Sequence, residues 1–346
     1  YKANQRCRSS FWWSGIFLPS CTIQEQFLVP CAAEIEASTY PEATRGCEMN
    51  LKFIDRVIKA NEDTFSEEDV NRLKYFYGLW DDMDRWSKGP TTAEKHYTVP
   101  SAEELEEAWM ADRPVFSFAP PKIQKSRFAA ICYSLREYVC DEGGLSEEDA
   151  EALREVNFRS LVEQEDMELA ASDPEAFIGG LLSNAYEQEI PPAAAHMVAM
   201  VGMMALRVDL ELVAKTVVKE QRKINKMNHN PISCPVCGST PALAKVGGDS
   251  PTDGRGRTLY CQQCGTEWAF ERIRCARCGS QNPQHLHYFN VEGDDAHRIH
   301  KCDECNGYIR TVFVEDALRP FSYEVEEVVT AKLDAIARDQ KFQTQE

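Results

Sequence analysis

Val70, Leu73, Phe76, Leu79, Trp80, Met83 and Trp86 recur every three or four residues, the spacing that gathers side chains on one face of an α-helix. A second stripe, Phe128, Ile131, Leu135 and Val139, runs up to Gly143 and Gly144, which end it. Ser66 with Asp69, Ser101 with Glu104, and Ser146 with Asp149 carry the Ser-x-x-acid signature of a helix start. Pro114, Pro120 and Pro121 mark a connection between two helical parts, and Pro191 and Pro192 open a long stretch holding Met197, Met200, Met203 and Met204. The methionines read as core packing rather than an adaptable binding surface. His196, Cys132 and Cys140 fall on helical faces as packed or incidental residues. The pattern predicts a helical domain over residues 49–230.

From Pro231 to Val312 the character changes, and cysteine, glycine and β-formers replace helical periodicity. Leu259 and Tyr260 lead into one cysteine pair, and Tyr308 to Phe313 leave another, so short strands between tight turns are expected. Past Pro320, Ser322 starts an amphipathic helix with Val325, Val328, Val329, Leu333 and Ile336 on one face. The fold class is α+β: an all-helical N-terminal body, two tandem rubredoxin-like or zinc-ribbon modules at 231–272 and 273–313, and a closing helical segment at 314–346.

The chemistry lies in four Cys-x-x-Cys pairs: Cys234 and Cys237, Cys261 and Cys264, Cys275 and Cys278, Cys302 and Cys305. Each cysteine of the first set recurs 41 residues later, and 23 residues separate the two pairs within each set. Two residues between cysteines let a tight turn aim both sulfurs at one ion, and two such turns complete a tetrahedron of thiolates. Gly238, Gly265 and Gly279 follow three of the pairs and Asn306 the fourth, the residues that best tolerate a left-handed backbone. Two tetrahedral ions, Fe or Zn, each held by four cysteines, are expected in sequential sites. Cross-braced pairing of the first knuckle with the third stays open, since the ten residues between Cys264 and Cys275 can span either arrangement.

Composition narrows the class. The chain has 346 residues, 43% of them hydrophobic, enough for a core and more than one domain. Its most apolar helical stretch, Ala193 to Val218, carries Arg207, Asp209, Glu211 and Lys215, which argues against membrane insertion. Reduced thiolates at this density point to a cytoplasmic location. Lys2, Arg6 and Arg8 precede the apolar Phe11 to Leu18 much as in a short secretory leader. Residues 1–48 are nonetheless read as a leader or disordered extension ahead of Met49, with Cys7, Cys21, Cys31 and Cys47 lacking ligand spacing.

The formal charge is −18, while Pro231 to Val312 holds nine Lys or Arg against nine Asp or Glu. A nucleic-acid-binding ribbon needs a basic footprint, and no nucleic acid is expected as a partner. Arg272, Arg274, Arg277 and Arg310 make at most a local patch, read as a solvated face. Gly-rich phosphate loops, Gly-x-Ser-x-Gly and His-Glu-x-x-His are missing from the sequence, and sites closed by four cysteines leave no position for a substrate water. No enzyme activity is expected. His285, His287, His297 and His300 read as loop residues with hydrogen-bonding roles.

Cys-Pro-Val-Cys-Gly-Ser-x-Pro at Cys234 to Pro241, Leu-x-Cys-x-x-Cys-x-Thr-Glu-Trp at Leu259 to Trp268, Leu-His-Tyr at Leu286 to Tyr288, and Cys-x-x-Cys-x-x-Tyr at Cys302 to Tyr308 together resemble the formate dehydrogenase accessory protein family, FdhE. The resemblance covers residues 231 to 313. It implies a cytoplasmic factor that binds the catalytic subunit of a molybdenum- or tungsten-dependent formate dehydrogenase and is needed for its assembly or activity. It also implies rubredoxin-like iron at the eight cysteines, and supporting or client-facing roles for Trp268, Arg272 and Tyr308. A rubredoxin-like electron carrier and a zinc-ribbon nucleic-acid module are the alternatives.

Overall fold

All three serine signatures cap helices in the computed structural model, which describes residues 23–27, 49–89, 92–163, 166–224, 230–248, 256–316 and 318–343. Ser66 Oγ accepts the Asp69 N–H at 3.1 Å while the Asp69 carboxylate accepts the Ser66 N–H at 3.3 Å. Ser101 and Glu104 repeat this reciprocal pair, and Ser146 Oγ accepts the Asp149 N–H. Each bond satisfies a helix N–H that has no partner inside its own helix.

The described residues fall into two compact units. One takes residues 23–27 with those of Thr240–Tyr260 and Glu267–Glu346; the other takes those of Cys47–Ser239 and Cys261–Thr266. The expectations for residues 1–48, including Cys7, Cys21, Cys31 and Cys47, lie outside the described residues apart from Ile23–Phe27.

The helical unit contains α1 (Leu51–Ala60), α2 (Glu67–Ser87), α3 (Ala102–Met110), α4 (Lys125–Glu142), α5 (Glu147–Glu155), α6 (Phe158–Leu161), α7 (Asp166–Ser172), α8 (Pro174–Glu187) and α9 (Pro192–Ile224). The 33-residue α9 is the axis, packed by α2, α3, α4, α5 and α8. A helix wrapped this way must be apolar nearly all round, and Met200, Met203 and Met204 are core residues, with Gly202 admitting Leu181.

Three of its charges are buried and paired. Arg207 bonds Glu211 at 2.7 Å one turn on, Glu211 also accepts the Met49 N–H at 2.7 Å, and Asp209 meets Arg127 of α4 at 3.1 Å. Arg127 further donates to the Trp86 carbonyl at 2.8 Å. Asp209 thus ties α4 to α9 and Glu211 holds Met49, just ahead of α1, and no helix among the described residues is long and apolar enough to cross a membrane.

The other unit is a seven-stranded sheet with two helices. Its strands are β1 (Ile23–Phe27), β2 (Leu243–Gly247), β3 (Arg257–Tyr260), β4 (Glu267–Phe270), β5 (Leu286–Val291), β6 (His297–Cys302) and β7 (Tyr308–Val314), in the order β1-β5-β6-β7-β2-β3-β4. All neighbours are antiparallel except β2 and β7, which run parallel with Leu243 opposite Arg310. That pair fuses the strands of the two repeats into one sheet. Tyr323 stacks on Tyr260 at 4.3 Å over Leu243 and Val312, while Leu333 and Ala337 cover Phe289 and Ile299.

The closing segment is two helices, α10 (Tyr323–Val329) and α11 (Ala331–Gln343), where the apolar stripe predicts one. Arg310 supplies the reason. Its Nη1 takes the Glu327 carbonyl at 3.0 Å, the acceptor that an unbroken helix would give to the Ala331 N–H.

Candidate metal centres

Each Cys-x-x-Cys pair forms the same turn. The N–H of Cys234, Cys261, Cys275 and Cys302 donates to the carbonyl five residues on, that of Ser239, Thr266, Ser280 and Gly307, at 2.8–2.9 Å. Closing the turn needs a left-handed residue after the second cysteine, and φ is +82° at Gly238, +71° at Gly265, +78° at Gly279 and +54° at Asn306. The chirality argument from sequence holds at all four positions.

The knuckles pair sequentially, not cross-braced. Cys234, Cys237, Cys261 and Cys264 form one group in the helical unit, and Cys275, Cys278, Cys302 and Cys305 another in the sheet unit; within each, all sulfurs lie within 4.8 Å of one another. Cys234 and Cys264 Sγ are 3.5 Å apart, as are Cys237 and Cys261; in the second group the corresponding distances are 3.7 and 3.8 Å. A tetrahedron with metal–sulfur bonds of about 2.3 Å has edges of about 3.8 Å, so both donor sets fit one thiophilic ion each.

Electrostatics shows the same demand. Around the first group burial opposes ionisation, yet hydrogen bonding from Cys237, Cys261 and Cys264 holds the Cys234 thiol well below its usual range, while Cys237 and Cys261 are pushed well above theirs. In the second, a hydrogen bond from Cys305 lowers Cys275 to about 4, and burial pushes Cys302 up to about 11. Clustered thiols without a counter-ion share one negative charge and keep the rest protonated. A central cation lets all four ionise.

Residues beyond the cysteines complete the sites. Ser239 Oγ lies 3.3 Å from Cys237 Sγ and Thr266 Oγ1 3.1 Å from Cys264 Sγ, so both hydroxyls can donate to thiolates. In the second site the N–H groups of Arg277 and Gly307 donate to Cys275 and Cys305, each at 3.3 Å. The signal for Ser239 and Thr266 was their shared position two residues past a knuckle. Nothing local announced the main-chain bonds from Val115 N to Pro235 O at 3.1 Å and from Phe116 N to Val236 O at 2.8 Å, which fasten the first knuckle under the loop after α3.

The other flagged residues separate. Trp268 is buried on β4, Arg272 is exposed, and Tyr308 opens β7, where its carbonyl accepts from Arg277 Nε at 2.9 Å. Arg310 leaves the supposed basic patch altogether: it is 4% exposed, 3.0 Å from Glu327 and 3.4 Å from Asp334. Arg274 pairs with Glu271. His287 bonds Asp303 at 2.7 Å, and His297 lies between Asp294 at 2.8 Å and Glu326 at 3.0 Å. Cys132 and Cys140 are buried, and His196 Nδ1 sits 2.6 Å from the Pro192 carbonyl.

Residues 233–272 match the family model described as FdhE, central domain. The "Protein FdhE homolog" of Shewanella oneidensis is 40% identical over 96 residues, 28% of this chain and 30% of that protein. Its namesake from Aquifex aeolicus is 33% identical over 110 residues, 32% of this chain and 38% of that protein. These curated relatives are thus matched over well under two thirds of their length. The crystal structure of the FdhE protein from Pseudomonas aeruginosa aligns over 87% of this chain and 93% of that one, with 16% identity and a TM-score of 0.49. The resemblance to FdhE proteins first visible in the cysteine motifs therefore recurs in both the family model and the curated relatives.

Proposed function

We propose that this chain is an accessory factor that binds the catalytic subunit of a molybdenum- or tungsten-dependent formate dehydrogenase and is required for its assembly or activity. The match of residues 233–272 to the FdhE central domain carries the reading. Two ions, Fe or Zn, are held by Cys234, Cys237, Cys261 and Cys264 and by Cys275, Cys278, Cys302 and Cys305. Bound there, an ion cross-links segments whose apolar contacts alone are small. The donor sets support a non-catalytic role, since four cysteines per ion leave no position for formate or water.

A cytoplasmic location accords with the described cysteines, none of which is paired in a disulfide. The burial of Arg310 and the pairing of Arg274 weigh against the nucleic-acid reading, because they remove cations from the patch it would use. The test is complementation: the chain is expressed in a formate-oxidising bacterium lacking its own accessory factor, and formate-dependent dye reduction is measured alongside co-purification. Restored reduction with the dehydrogenase subunit retained on the tagged chain is expected. Unrestored reduction by a folded, metal-loaded chain that retains no such subunit would defeat the proposal.

A further inference from the structure

The two cysteine groups share a spacing and a turn but not an environment. Every cysteine of the first is at most 1% exposed, whereas Cys278 is exposed and Cys305 half-buried. Hydroxyls of Ser239 and Thr266 flank first-site sulfurs, and the loop at Val115 and Phe116 is bonded over its first knuckle. In the second site N–H groups reach Cys275 and Cys305, but among the described residues neither a backbone N–H nor a hydroxyl reaches Cys278 Sγ, whose neighbour is Cys302 Sγ at 3.8 Å. The cysteine most open to solvent therefore also has no N–H or hydroxyl donor on its sulfur.

Exchange between thiolate ligands needs an incoming sulfur to approach while the old ligands are still in place, so its rate follows access to the exposed sulfur. Resting on the two-ion reading above, we infer that the second site is exchangeable, giving its ion to or accepting it from a thiol-bearing partner through Cys278, while the first releases its ion far more slowly. In that step the incoming thiol loses its proton as its sulfur bonds the ion. The bond to Cys278 breaks, and Cys278 takes up the proton. No electron moves, and the number of coordinating thiolates stays the same.

The full chain is loaded with zinc, its metal content measured, and limiting N-ethylmaleimide added while zinc release is followed with a colorimetric chelator and labelled peptides are mapped by mass spectrometry. From a start of two zinc ions per chain, one is expected to leave at least about tenfold faster than the other, with Cys278 the first of the eight ligand cysteines to be labelled and helical circular dichroism unchanged during that phase. Release of both ions in one phase, or labelling of Cys234, Cys237, Cys261 or Cys264 ahead of Cys278, would overturn the division. Fewer than two zinc ions in a folded chain would instead overturn the two-ion reading itself, so the two failures are distinct.

Discussion

The Arg310 guanidinium lies 3.0 Å from the Glu327 carboxylate, with both side chains 4% exposed. Arg310 also reaches Asp334, the Glu327 carbonyl and Thr330 Oγ1, so one cation serves two carboxylates and the break between α10 and α11. Burying charge is tolerable only when it is paired in this way.

Arg310→Met should therefore cost about 3–5 kcal/mol, because it strands two buried carboxylates. Urea denaturation followed by Trp fluorescence measures it. A loss below about 1 kcal/mol, the range of an exposed pair, would show that the network is solvated.

His297 predicts a pH dependence. Burial opposes its charge, but hydrogen bonds to Asp294 and Glu326 raise its pKa to about 9, and Lys332 acts on Asp294 nearby. Since the folded value exceeds the ordinary 6.5, the stabilisation is complete below pH 6.5 and is lost as pH rises through 9. The loss should be on the order of 3 kcal/mol. Denaturation of the metal-loaded chain at about pH 6.5 and about pH 9.5 should show this difference, and His297→Gln should abolish it.

The knuckle backbones predict a graded series. Asn306→Gly should be nearly neutral, and Asn306→Val should cost about 1–2 kcal/mol for its φ of +54°. Gly238→Ala should cost more than Asn306→Ala, since a Cβ there would also meet Pro114 Cγ at 3.0 Å. Thermal melts with metal content recorded at each point separate the cases, and equal costs for the two alanine variants would contradict the close approach.

Removing a ligand should act unequally. Cys234→Ala should take one ion with it and lower the melting temperature sharply, because structural zinc in isolated fingers supplies about 10–16 kcal/mol. Cys278→Ala should lose its ion while helical circular dichroism stays near wild type. Metal analysis with circular dichroism on both variants decides, and loss of helix in Cys278→Ala would refute the expected asymmetry.

What was legible in the sequence was local. Ser66, Ser101 and Ser146 announce helix starts because a cap bond spans three residues, and Gly238, Gly265, Gly279 and Asn306 announce the turns because chirality acts within one. Arg310 looked like a surface cation because its partners lie 17 and 24 residues on, brought back by α10 and α11. The burial of Asp209 is invisible without Arg127, 82 residues earlier. Likewise, the β2–β7 pairing has no turn to signal it, and nothing near Pro235 predicts its bond to Val115.

That parallel pair also sets an order of assembly. During synthesis β2 leaves the ribosome about sixty residues before β7, an interval of several seconds at roughly 5–20 residues per second. Until then β2 can form a hairpin with β3 but has an open edge on its other side, a surface prone to mispairing. The nascent chain thus passes through a vulnerable interval between these strands, and β7, through Val314, has to emerge before that edge is covered.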